Sequence, residues 1–146
     1  MNNTSSSAAT AARLILRVAV GFLFLAHGWQ KFTEWTIAGT TESFAQMGVP
    51  AAEIAAPFVA GLELVGGALL ILGFLTRPIA AMLTVDMLVA LFLVHLGAGV
   101  FVSEGGYELV LALGAAAAGI ALLGAGKFSV DAALFGRRQG AVAKLA

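Results

Sequence analysis

The stretch Ala52–Leu75 reads AEIAAPFVAGLELVGGALLILGFL, and its reading decides the fold. It carries two charges, Glu53 at its edge and Glu63 near its middle. A helix that crosses a bilayer needs about 20 mostly apolar residues. The apolar–polar alternation of a membrane barrel strand is missing. Three further stretches share this character: Arg13–Gln30, Pro78–Gly97 and Tyr107–Gly126. The pattern predicts an all-α transmembrane four-helix bundle over residues 13–126.

Composition points the same way. Of 146 residues, 60% are hydrophobic and 11% charged, with a mean hydropathy of +0.98. An ordinary soluble domain is about 45–50% apolar and about 25% charged. The balance excludes a soluble globular fold, a disordered chain and a basic nucleic-acid binder. There is no cysteine, which removes thiol oxidases, Cys-ligated iron–sulfur clusters and zinc knuckles.

The charges write the topology. Arg13, Arg17, Arg77, Lys127, Arg137, Arg138 and Lys144 fall on one side of the spans, and Lys31 alone on the other. By the positive-inside rule both termini are cytoplasmic. Residues 1–12 read as a mobile tail ahead of an uncleaved first span, since no positive charge precedes Arg13 and Arg17 interrupts the apolar run. Residues 127–146 read as a basic cytoplasmic tail suited to anionic inner-leaflet lipid. The Thr33–Pro50 loop, with Trp35 and Phe44, is long enough to fold partly over the outer face. The short connection at Thr76-Arg77-Pro78 makes the second and third spans antiparallel neighbours.

A weak internal repeat runs through the spans. Leu23-Phe24-Leu25-Ala26-His27 resembles Leu91-Phe92-Leu93-Val94-His95, and Glu63-Leu64-Val65 matches Glu108-Leu109-Val110. His27 lies 14 residues from Arg13, as Glu63 does from Arg77; the second hairpin gives 18 and 19. At about 1.5 Å per residue each His is level with the Glu of its own hairpin, in the outer half of the bilayer.

Ionisable groups inside spans are costly, and each is a functional candidate. His27 and Lys31 are four apart, on one helix face. Glu63 is the deepest acid, followed by Gly66-Gly67, which admit a close backbone or a flat ligand. His27 with Glu63 makes a possible acid/base pair for exchanging protons with a substrate such as a quinone. Lys31, His95, Tyr107 and Glu108 are candidate ligand-binding residues around it. The structural alternatives are a snorkelling Lys31 anchor and plain interhelical bonds at His27 and Glu63. Asp86 and His95 lie nine residues apart, two and a half helical turns, and so face opposite ways unless the helix is kinked. Asp86 is instead expected to pair structurally with Arg17. Two histidines would permit a haem or a metal, but no attachment motif supports either, and no metal is assigned. Gly114, Ala115, Ala118 and Gly119 give the fourth span a small-residue face, for packing within the monomer or in a homo-oligomer.

Taken together, these residues carry a family resemblance over nearly the whole chain after the tail. Its elements are Arg13-Leu-Ile-Leu-Arg17, Phe24-Leu25-Ala26-His27-Gly28-Trp29-Gln30-Lys31-Phe32, Gly48-Val49-Pro50 and Gly61-Leu62-Glu63-Leu64-Val65-Gly66-Gly67. They continue with Gly73-Phe74-Leu75-Thr76-Arg77, Phe92-Leu93-Val94-His95-Leu96, Gly105-Gly106-Tyr107-Glu108 and Lys127-Phe128-Ser129-Val130-Asp131. The sequence resembles the DoxX family of small four-span bacterial membrane proteins. The resemblance implies a bundle in the bacterial inner membrane linked to redox metabolism, with His27, Lys31, Glu63, His95 and Glu108 at the family's polar positions. The leading expectation is an accessory subunit of a quinone-linked or oxidative-stress redox assembly, with redox enzymes as partners. A small-solute or proton transporter, using Glu63 with an Arg17–Asp86 half-path, and a scaffold for soluble redox enzymes are the alternatives.

Overall fold

A computed structural model describes residues 3–135. Six α-helices follow in order: α1 (Asn3–Thr33), α2 (Thr36–Gln46), α3 (Ala52–Leu72), α4 (Thr76–Ala90), α5 (Glu108–Leu123) and α6 (Val130–Phe135). The four long ones form the expected bundle. α1 packs most extensively on α3, and α4 on α5, while α3–α4 and α1–α5 contacts close the ring. Among the described residues, three helical stretches are long and apolar enough to cross a membrane: Ser7–Thr33, Ala52–Leu72 and Thr76–Ala98. α5 is shorter, at 16 residues, or about 24 Å of helix.

The bundle is built for lipid. Val20, Phe24, Leu70, Leu83, Met87, Leu113 and Ile120 form the core. Ile15, Phe22, Phe58, Val65, Val85, Leu111 and Leu122 point outward, Leu122 at 79% exposure. Such an apolar girdle would be a liability in water and is required in a bilayer.

Glycine sets the α1–α3 distance. A Cβ on Gly28 would lie 2.3 Å from the Leu64 amide nitrogen, and one on Gly67 2.4 Å from that of Leu25. The two backbones therefore touch, which answers what Gly67 is for: it admits a helix rather than a ligand. Gly66 faces Ile79 and Leu83 on α4 at ordinary contact distance.

Two expectations are corrected. α1 begins at Asn3, so the described part of the stretch read as a tail is helical. Its Ser/Thr/Ala composition is compatible with helix once the apolar face that follows nucleates it. The Thr33–Pro50 connection, expected to fold partly over the outer face, is mostly α2, which packs on α3 and the end of α1. The Thr40 hydroxyl fixes α2 locally, donating to the Thr36 carbonyl at 2.8 Å and reaching the Lys31 carbonyl at 3.4 Å. Finally, Arg17 and Asp86 do not pair. Arg17, 2% exposed, donates to the Phe128 carbonyl at 2.6 Å at the inner end. Asp86 sits outward on α4, and its Oδ2 is buried with no hydrogen-bond partner. The sequence argument matched depths along two helices without knowing that the segment after α5 folds back beneath Arg17.

That returning segment completes the inner end. Asp131 accepts from the Leu75 amide at 2.9 Å and the Thr76 amide at 3.0 Å, capping α4, while its own amide donates to the Gly73 carbonyl at 2.9 Å. Gly73 must be glycine here, with φ +69 and the Arg17 guanidinium where a Cβ would be. Arg137, Arg138 and Lys144, read as a lipid-binding tail, lie outside the described residues.

Candidate functional site

The outer halves of α1, α3, α4 and α5 do not meet at the bundle axis but enclose a cavity of about 380 Å³. Most of its wall is apolar, including Phe24, Val59, Met87, Leu109 and Leu113, and α2 with the following turn contributes Phe44, Met47 and Val49. Five titratable residues break that surface: His27 and Lys31 from α1, Glu63 from α3, Asp86 from α4, and His95 just beyond α4.

The Gly28–Leu64 backbone contact brings Lys31 and Glu63 together. Lys31 Nζ donates to Glu63 Oε2 at 2.5 Å, and the residues are 8% and 4% exposed. Among the described residues this is the one ion pair. Lys31 Nζ also lies 5.8 Å from the centre of the Trp35 ring, on a cavity-lining residue. A buried pair with a cation–π contact is a fixed polar feature in an apolar wall. His27, half-buried one turn before Lys31, faces the same cavity. Of the two α1 side chains expected near Glu63, Lys31 makes the hydrogen bond, and His27 lines the cavity beside it.

His95 and Asp86 both line the cavity, although nine residues of regular α-helix would set them on opposite faces. The reason is a π-helical turn at Leu91–His95 between them, followed by a 3₁₀ turn at Leu96–Ala98. A π turn takes more residues per revolution than α, so His95 lags round to the Asp86 side. A carbonyl can only accept, so His95 Nδ1 donates to the Gly105 carbonyl at 2.7 Å, which fixes its tautomer.

Tyr107 and Glu108 do not join this group. Glu108 Oε1 accepts from the Val102 amide at 2.7 Å, and the Glu108 and Tyr107 amides donate to the Val100 and Gly99 carbonyls. Glu108 is thus spent on folding the outer loop, and Tyr107 packs against the core beside it. The half-repeat places the two glutamates in corresponding positions but gives them different work. Among the described residues no three His, Asp or Glu side chains are gathered as a metal site.

The titratable residues of the cavity lie within a stretch that matches a known family. The pattern of the DoxX family matches residues 12–96, from α1 to the π turn. The chain belongs to the DoxX family. The matched span contains His27, Lys31, Glu63, Asp86 and His95 but stops short of Tyr107 and Glu108. Relatives of this DoxX protein include the Bacillus subtilis protein named "Putative oxidoreductase CatD", 31% identical over 130 residues, which are 88% of this chain and 92% of CatD. The Escherichia coli inner membrane protein YqjF is 32% identical over 118 residues, 81% of this chain and 88% of its own. An uncharacterized membrane protein of Mycobacterium tuberculosis, Rv3486, is 39% identical over 85 residues, 58% of this chain and 52% of its own. No solved structure matches the chain. With its apolar helices and this family, the DoxX protein is a multi-pass membrane protein.

Proposed function

We propose that this DoxX protein is an accessory inner-membrane subunit of a redox assembly and that it holds the ring of a quinone in the outer cavity. One observation carries the reading: an apolar chamber of about 380 Å³ with donors and carboxylates on its wall. Ligand pockets of about 300–1,000 Å³ combine mostly apolar linings with a few placed polar groups. A quinone carbonyl accepts from the Lys31 ammonium or a protonated His27 nitrogen. A quinol hydroxyl donates to Asp86 Oδ2, which has no hydrogen-bond partner among the described residues. Both redox forms of one ring thereby find complementary groups, and His27, Glu63 and Asp86 can pass protons to or from it. In an accessory role the chain binds the ring while a partner enzyme exchanges the electrons. The oxidoreductase name of a relative spanning most of the chain supports the redox direction.

The test is binding of a short-chain benzoquinone to the purified protein, with His27→Ala, Glu63→Gln and Asp86→Asn beside wild type. A lost hydrogen bond to a charged group is worth about 1.5–3 kcal/mol, so each variant is expected to bind about 10-fold or more weakly. Equal affinity in all four proteins overturns the site; no binding to wild type overturns the ligand. The transporter alternative is weakened, since its inner half-path relied on an Arg17–Asp86 link.

A further inference from the structure

The shape of the cavity says how its ligand arrives. α3 and α4 are joined at their inner ends by the short Gly73–Leu75 turn and pack together at Gly66, Ile79 and Leu83. Farther out, Glu63, Val59 and Ala55 on α3 and Asp86, Ala90 and Leu93 on the α4 side line the cavity from its two sides.

Exposure locates the mouth. On the α1–α5 side, the lining residues Phe24, Lys31, Val110 and Leu113 are buried, so that side is shut. On the α4 side, Val89 and Leu93 line the cavity and yet are 47% and 51% exposed. A residue that lines a chamber and also faces outside stands at its rim. Trp35, Met47 and Val102, likewise lining and exposed, continue that rim toward the outer surface. Every one of these rim residues is apolar. Val89 lies within the span Thr76–Ala98, and Val85 and Leu88 beside it on α4 are exposed as well.

We infer that the cavity is loaded sideways from the outer leaflet, between the outer halves of α3 and α4, and that its ligand is a membrane-dissolved ring bearing an apolar tail. The inference rests on the proposed quinone reading for the ring and adds the tail and the route. The ring sits against Lys31, Glu63 and Asp86. The tail leaves between Val89 and Leu93 into lipid, because those two lining side chains are the ones that face both the chamber and the outside within the span. A water-borne ion or sugar would meet an apolar rim.

Two measurements decide it. The chain has no cysteine, so Val89→Cys and Leu93→Cys each provide one spin-label position in full-length protein in liposomes. Collision with oxygen, which concentrates in lipid, should exceed collision with a water-soluble nickel chelate at both positions, as at Val65→Cys on the lipid face. Nickel-dominated collision at both rim positions overturns the route. Second, Leu93→Trp and Val89→Trp narrow the mouth without touching the polar wall. A long-tailed isoprenoid benzoquinone supplied in liposomes should bind these variants at least 10-fold more weakly than wild type, while the tailless ring binds within about twofold. Equal binding of the tailed quinone to all three proteins overturns the tail assignment. Failure of the tailless ring to bind wild type overturns the quinone reading alone, and the label measurement still decides where the mouth faces.

Discussion

Neutralising Glu63 is the perturbation with the most to reveal. In Glu63→Gln, Lys31 keeps its charge but loses its carboxylate. Removing one partner of a buried pair costs about 3–5 kcal/mol, mostly from the charge left uncompensated. Lys31 is near the outer end of α1 and retains the Trp35 face at 5.8 Å, so it can turn toward the interface. That places the cost near the lower figure, at about 3 kcal/mol. The reverse variant, Lys31→Met, strands Glu63, which is deeper and 4% exposed, and the cost approaches about 5 kcal/mol. The double variant Lys31→Met/Glu63→Leu removes both charges, and its stability should return to within about 1–2 kcal/mol of wild type. The assay is reversible unfolding in mixed micelles, read as a double-mutant cycle with Glu63→Leu as the second single variant. With single costs of about 3 and 5 kcal/mol and a double near wild type, the expected coupling is about 6–7 kcal/mol. If the double variant is as unstable as the sum of the singles, the two side chains are not coupled and the geometry of the cavity wall is wrong.

Three further outcomes follow from particular contacts. Gly67→Val drives a side chain into the Leu25 backbone; α1 and α3 must separate, and the expected result is loss of monodisperse protein after detergent extraction, whereas Gly61→Ala, with open space around it, should behave as wild type. Asp131→Ala strips two buried amides of their acceptor, at about 1–3 kcal/mol each, and faster hydrogen exchange at Leu75 and Thr76 should report it. Asp86→Leu removes a buried carboxylate oxygen without a partner, so it should raise the unfolding midpoint while weakening ring binding, the trade expected where a site is kept at the expense of stability.

The bundle was legible because each span announces itself by length and apolar content. The alignment of His27, Lys31 and Glu63 was legible too, since four-residue spacing and equal depth are properties of straight helices. The rest depends on departures from straightness. Asp86 joins the cavity because the helix beyond it widens into a π turn, and nothing in Leu91–His95 distinguishes that turn from α; the stripe Asp86, Ala90, Leu93 was the one signal pointing inward. Glu108 was read as a second Glu63 because the half-repeat equates them, yet its carboxylate is claimed by a loop amide six residues before it. Asp131 went unread as a structural residue because a cap is defined by the amides it faces, and those lie 55 and 56 residues away.

The position of Asp131 has a consequence for how the chain is made. The spans can enter the membrane one after another as they are synthesised, but the first turn of α4 has no acceptor for its amides until residue 131 has left the ribosome. Arg17, placed in the first span, waits just as long for the Phe128 carbonyl. Arg17 on α1 and the first turn of α4 are thus completed by a segment made after both. A chain interrupted after α5 carries the four long helices and still lacks the contacts that close their inner end.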